Sequence, residues 1–223
     1  MTVQGGRRDV KFMDTANQPF HPVCAVGTMA WGKSLYSKSI MGSCVAEETL
    51  AQTIHTASEL GLTLFDTAGK YGMGYAEEVL GRYASEDIRY SDKFTPMGPY
   101  RKGNVRKSLE KSLKALKRDS IDIFWLHLPK HIKENLEEIC ALAKEGLIKN
   151  IGVSNFNAEE IAYAQKLMES KGLRLYGVQN HYSLLNREWE KNGVLKQCEE
   201  NDILFFAWSP LEGGGGTFRE CAF

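Results

Sequence analysis

The stretch "IDIFWLHLPKHIKENLEEICALAKEGLIKNIGVS" (121–154) decides the reading of the fold. It opens on a short apolar run, 121–128, rich in Ile, Phe and Trp, which reads as a strand. "KENLEEICALAKEG" (133–146) follows with helical spacing and stops at Gly146, a C-terminal signal. "LIKNIGVS" (147–154) is a second apolar run. A strand, a helix and a strand within this length make a βαβ unit, and such a crossover sets two strands parallel.

The same unit repeats outward in both directions. Toward the N-terminus the strands are "VCAVGTMA" (23–30), "LTLFDT" (62–67) and "IRYSDKF" (88–94). The helices there are "EETLAQTIHTASELG" (47–61), "YAEEVLGRYA" (75–84) and "GNVRKSLEKSLKALK" (103–117). Toward the C-terminus come a helix at 158–172, a strand at 174–180, a helix at 186–201 and a strand at 202–210. Strict alternation implies an α/β fold with a parallel sheet, and strands apolar on both faces imply helices covering it. Periodicity leaves two closures open, a doubly wound sheet or an eight-stranded barrel. The polar first twenty residues, with "DTANQP", read as a short hairpin or cap. No composition break or linker interrupts the chain, so a single domain over 1–223 is expected.

Charge excludes some functions. Lys and Arg (28) balance Asp and Glu (28), which gives no electrostatic argument for nucleic acid or an acidic membrane surface. The basic stretch 101–118 falls on a helical pattern and reads as a solvated face. Five cysteines (24, 44, 140, 198 and 221) are scattered without C-x-x-C spacing, so neither a disulfide framework nor a zinc site is expected. The start of the chain lacks an apolar signal segment and no apolar run reaches membrane-spanning length. A cytoplasmic setting without membrane association is the expectation.

The informative residues stand at the carboxyl ends of the strands, where parallel sheets bind their ligands. Reading only those ends gives Thr28, then Asp66 and Tyr71, then Lys93, His127, Ser154 with Asn155, Gln179 with Asn180, and Trp208 with Ser209. Each has a plain structural reading. Asp66 can cap a helix, Ser154 and Asn155 can cap the next one, and His127 can be a hydrogen-bonded core residue. Such accidents have no reason to fall at the same end of successive strands. A phenol is a weak acid, with an unperturbed pKa of about 10, and a neighbouring ammonium favours the phenolate. A carboxylate beside the lysine satisfies its charge, and a histidine can orient a carbonyl oxygen. Asp, Tyr, Lys and His together make a proton donor for a developing alkoxide, which fits carbonyl reduction by hydride from a nicotinamide. A Rossmann fingerprint is not met by "GMGYAE" (72–77), which lacks the third glycine. His127 and His131 are separated by Pro129 and do not share a helical face, so no metal is expected.

Five segments carry a family resemblance. "FDTAGKYGMGYAEEVLG" (65–81) and "GLIKNIGVSNF" (146–156) resemble the second- and fifth-strand signatures of the aldo-keto reductases. "GTMAWG" (27–32), "VQNHYSLLNR" (178–187) and "WSPLEGG" (208–214) are similar to further family segments, in the family's order. The resemblance implies a (β/α)8 TIM barrel and an NADPH-dependent oxidoreductase that reduces an aldehyde or ketone, with NADH as the other cofactor choice. It makes Tyr71 the general acid, with Asp66, Lys93 and His127 completing a tetrad. It assigns the cofactor to Thr28, Met29, Asp66, Ser154, Asn155, Gln179, Trp208, Ser209, Pro210 and Leu211, and the substrate side to Trp31. Lys130 stands where many relatives have an acid. After Leu211 the family pattern calls for another helix, an eighth strand and a closing helix, with a basic loop for the adenosine 2′-phosphate. This sequence runs "EGGGGTFRECAF" instead, so a C-terminally truncated barrel is expected. The alternative function is a non-catalytic or regulatory binding subunit, or an inactive truncated product.

Overall fold

The computed structural model describes residues 22–32 and 45–212. Within these described residues seven parallel strands form one sheet in sequential order: β1 (Val26–Gly27), β2 (Leu64–Asp66), β3 (Arg89–Phe94), β4 (Ile121–Leu126), β5 (Ile148–Ser154), β6 (Leu175–His181) and β7 (Leu204–Trp208). The crossover helices are α1 (Glu47–Glu59), α2 (Tyr75–Tyr83), α3 (Asn104–Leu116), α4 (Ile132–Lys144) and α5 (Ala158–Ser170), and a pair of short helices precedes β7. Consecutive strands side by side with a helix between each pair is the order of a (β/α)8 barrel, and it excludes the doubly wound sheet, whose strand order reverses. Among the described residues β1 and β7 each pair with one neighbour only.

Each helix follows from its apolar stripe. Leu50, Ile54 and Ala57 are the buried face of α1, and Val105, Leu109, Ser112 and Leu116 that of α3. The remaining positions of α3, including its Lys and Arg residues, lie outside that stripe, which accounts for the basic stretch read from the sequence. Helix α5 starts at a capping box: Asn157 accepts from the Glu160 amide at 2.9 Å while Glu160 accepts from the Asn157 amide at 2.9 Å. Ser154 and Asn155 are therefore not its caps.

Two elements differ from the sequence reading. The helix expected over 186–201 is two pieces, α6 (Glu188–Lys191) and α7 (Val194–Glu200), because Gly193 takes φ 85° between them. The first strand, expected over 23–30, is paired only at Val26–Gly27: the Thr28 N–H closes the ladder on the Asp66 carbonyl, its hydroxyl donates to the same oxygen, and the chain turns at 29–30. The expected N-terminal hairpin or cap, and the glycine run after Glu212, lie outside the described residues.

Two cores result. Between sheet and helices lies the larger one, with Phe65, Tyr90, Phe124, Leu126, Val153, Phe156 and Val178 among its members. On the inner face of the sheet lies a smaller one: Leu64, Ile123, Trp125 and Tyr176, with Leu204 and Phe206 against them. Trp125 dominates it, and the glycine beside it in register is required. A Cβ on Gly152 would stand 2.2 Å from the indole.

Candidate functional site

Strand alternation carries the inner face upward from this apolar layer. Two residues beyond Leu64 is Asp66; beyond Ser91 is Lys93; beyond Trp125 is His127; beyond Gly152 is Ser154; beyond Gly177 is Gln179; beyond Phe206 is Trp208. Register pairs Asp66 with Ser91 and Lys93 with Trp125, a step of two residues from each strand to the next, and sets Ser154 level with Gln179. The sequence-expected side chains thus meet at one rim.

At its centre Lys93 is buried and its ammonium donates to the Asp66 carboxylate and to the Thr67 carbonyl, the latter at 2.9 Å. The second carboxylate oxygen of Asp66 accepts from Ser91 Oγ at 2.6 Å and from Gln179 Nε2 at 3.0 Å. Ser91 Oγ in turn accepts from the Trp125 indole N–H at 2.7 Å. The inner apolar layer therefore orients the acid above it. Tyr71 is delivered by a 3-10 turn, Tyr71–Gly74, which brings the Lys93 Nζ to 5.0 Å from its ring centroid. That turn needs glycine at 72: φ is 56°, and a Cβ would lie 2.3 Å from the Trp31 carbonyl oxygen. Asp66 is not a helix cap, since Gly74 occupies the N-cap of α2.

Burial decides the electrostatics. It raises the Tyr71 pKa above its ordinary value, outweighing Lys93, which lowers it; Asp66 raises it further. The sequence reading stressed the lysine alone, whereas in the folded site desolvation wins. Burial also opposes the charge on Lys93, but Asp66 and Tyr71 overcome it and hold its pKa above the usual lysine value. His127 is pushed down to about 4, by burial first and then by the Lys93 charge, with Asp66 opposing. Its Nδ1 is 2.8 Å from Thr95 Oγ1.

Beside this centre the amides converge. Ser154 Oγ donates to the Gln179 carbonyl at 2.7 Å, and Asn155 Nδ2 donates to the His127 carbonyl at 3.0 Å and to Ser154 Oγ at 3.1 Å. Asn155 achieves this from left-handed backbone, φ 63°, which asparagine tolerates better than most residues. Its Oδ1 accepts from the Trp208 indole N–H at 3.0 Å. Trp208 is 37% exposed and stacks on His181 at 4.4 Å between centroids, 18° between planes.

The other expected residues are less central. Thr28 is buried on the Asp66 carbonyl, and Met29 is exposed beside it. Trp31 is only 6% exposed and packs edge-on against Phe65 at 6.2 Å, so it walls the core as much as the rim. Ser209, Pro210 and Leu211 follow β7 at the same end, with Ser209 in left-handed backbone at φ 48°. Sequence reasoning missed Ser91 and Thr95. Ser91 stands two residues before Lys93 on β3 and Thr95 two residues after it, just past the strand's end, so the period of two was the signal that would have found them.

A one-sided parallel barrel wall with a polar, part-buried centre at its carboxyl rim defines the class of α/β-barrel enzymes. The sequence matches the model of the Aldo/keto reductase family over residues 24–220, and the chain belongs to that family. Aflatoxin B1 aldehyde reductase member 2 of Rattus norvegicus is 31% identical over 88% of this chain and 54% of its own length. L-glyceraldehyde 3-phosphate reductase of Escherichia coli is 32% identical over 78% of this chain and 56% of its own. The chain thus spans little more than half the length of these curated relatives. Among solved structures, a thermostable aldo-keto reductase in complex with epalrestat superposes with a TM-score of 0.76 at 28% identity, covering 92% of this chain and 74% of that one. An aldo-keto reductase from Klebsiella pneumoniae in complex with NADPH gives 0.72 at 26% identity, covering 88% and 66%.

Proposed function

We propose that this site reduces an aldehyde or ketone to an alcohol with NADPH, Tyr71 being the proton donor. The observation that carries the reading is the buried Lys93 ammonium, held by Asp66 and the Thr67 carbonyl and set against the Tyr71 ring. The raised Tyr71 pKa keeps the phenol protonated at neutral pH, as a donor must be. Lys93 stabilises the negative charge that develops as the proton leaves. His127, its pKa lowered to about 4, is a neutral imidazole at neutral pH and orients the carbonyl oxygen through a ring nitrogen while Thr95 holds Nδ1.

The residues present fit a nicotinamide. Ser154, Asn155 and Gln179 offer hydroxyl and amide groups suited to a carboxamide, and they meet beside a part-exposed indole. His181 covers one face of Trp208, so a stacked ring would use the other. The cofactor, when bound, supplies the hydride; the chain's own groups hold the ring, orient the carbonyl and give the proton. The test is Tyr71→Phe assayed with NADPH and a panel of aldehydes and ketones, with NADH run in parallel. Unchanged turnover would remove Tyr71 from this role.

A further inference from the structure

Two carboxyl groups that the proposed reaction does not use lie behind the rim. Asp92 sits between Ser91 and Lys93 on β3, and alternation turns it away from the site toward the helices. Glu77 stands in the first turn of α2. Both are 0% exposed, and among the described residues neither carboxyl has an oxygen in a hydrogen bond of ordinary geometry. Ser112 of α3 is the polar neighbour they share, and it favours their charged forms without being in bonding geometry.

The Glu77 carboxyl lies against the turn that carries Tyr71. A Cβ at Gly69 would stand 3.7 Å from Glu77 Oε2 and 4.0 Å from Oε1, and one at Gly74 would stand 3.8 Å from Lys111 Nζ and 3.9 Å from Glu77 Oε2. Those two glycines bracket the turn; the carboxyl fills the space beside Gly69 and shares that beside Gly74 with the Lys111 ammonium. Within the turn, Gly72 (φ 56°) and Met73 (φ 62°) are consecutive left-handed residues. Such backbone persists only where its surroundings hold it.

We propose that the Glu77 carboxyl, facing Asp92, is the seat of the 69–74 turn and so a positioning residue for the Tyr71 phenol. The inference rests on the reading of Tyr71 as proton donor. The seat works while the two acids keep a proton between them. Burial first, then the Asp92 charge, pushes Glu77 up to about 8; Lys111 of α3 lowers it and Glu78 of its own helix raises it. Burial raises Asp92 as well, with Lys93 lowering and Asp66 raising it. Ionising both sets two like charges against each other in a buried site, with Lys111 the cation that faces Glu77, and the turn is the side free to yield. Because the folded-state pKa of Glu77 is raised, its contribution to stability is fully present at acid pH and is lost as pH rises toward about 8.

The test compares the full chain with Glu77→Gln, which keeps the shape and cannot ionise. Hydrogen exchange of the peptide spanning 69–75 is measured for both at about pH 6 and about pH 9, alongside turnover with NADPH. The two proteins are expected to match at the lower pH. At the higher pH the parent should exchange roughly tenfold faster, as an opening eased by about one pKa unit of repulsion gives. Its turnover should also show an alkaline limb near 8 that Glu77→Gln lacks. Asp92→Asn removes the same repulsion and should abolish the difference too; it serves equally if Glu77→Gln does not fold. Equal exchange in parent and variants at the higher pH overturns the proposal, even in a protein that reduces carbonyls. An exchange difference in a protein with no turnover supports the seat and defeats the carbonyl-reductase reading instead.

Discussion

The two ends of the sheet's inner face are built along the same sheet, two to four residues apart on a strand, and are used in opposite ways. At the amino end Leu64, Ile123, Trp125, Tyr176, Leu204 and Phe206 fill space with apolar side chains. At the carboxyl end Asp66, Lys93, His127, Ser154, Gln179 and Trp208 share hydrogen bonds and a buried ion pair. The lower layer is stabilised by exclusion of water and tolerates no gap. The upper layer is costly to bury, and its charges persist only because each is held by the next. The Trp125 indole N–H to Ser91 Oγ, and Ser91 Oγ to Asp66, join the two. The packing layer is thereby also the floor that aims the acid.

Substitutions can break that division of labour, and the largest effect is expected at the rim. Tyr71→Phe should lower kcat for NADPH-supported carbonyl reduction by about 10²- to 10⁴-fold, the usual size of a lost general acid, while Tm stays near the parent value. A Tm that falls with kcat would place Tyr71 in the packing instead. Next comes the floor: Trp125→Ala should cost about 3–5 kcal/mol of stability in denaturant unfolding, since the largest side chain of the inner layer is lost. Gly152→Ala, whose Cβ would stand 2.2 Å from that indole, should be milder. Overpacking of this kind costs about 1–3 kcal/mol, and its kcat per folded molecule should hardly change. Thr95→Val removes the partner of His127 Nδ1 and should cost about 0.5–1.5 kcal/mol, seen as a several-fold loss in kcat/KM. The smallest effect concerns pH. His127 must be neutral to act as proposed and its pKa is lowered to about 4, so turnover should be flat from pH 7 down to about 5. An acid limb near pH 6.5, the ordinary histidine value, would show that the imidazole is not desolvated as described.

Much of this was legible before folding. Strand and helix order could be read because each apolar run, each helical stripe and stops such as Gly146 and Gly172 are local signals. The rim residues could be read because a period of two places them without knowing any contact. Three things were not. The helix at 186–201 is broken because Gly193 adopts left-handed backbone, which the run of helix-compatible residues around it does not reveal. Tyr71 was read as a phenol tuned downward by lysine, and the folded site raises it, because desolvation depends on how much of the chain closes over a group. Glu77 and Asp92 carry no signal in the sequence, since nothing in their neighbours along the chain says that both are fully buried.

The sequence by itself determined which residues could face the inner side and at which end of each strand they stand, since alternation and crossover order are properties of short segments. Only the tertiary structure decided which of them touch. Asp66 finds Lys93, Ser91 and Gln179 through strand register, and Gln179 lies 113 residues away along the chain. It also decided the charge of Tyr71, Lys93 and His127, because burial acts on all three and no residue carries its own burial in its name.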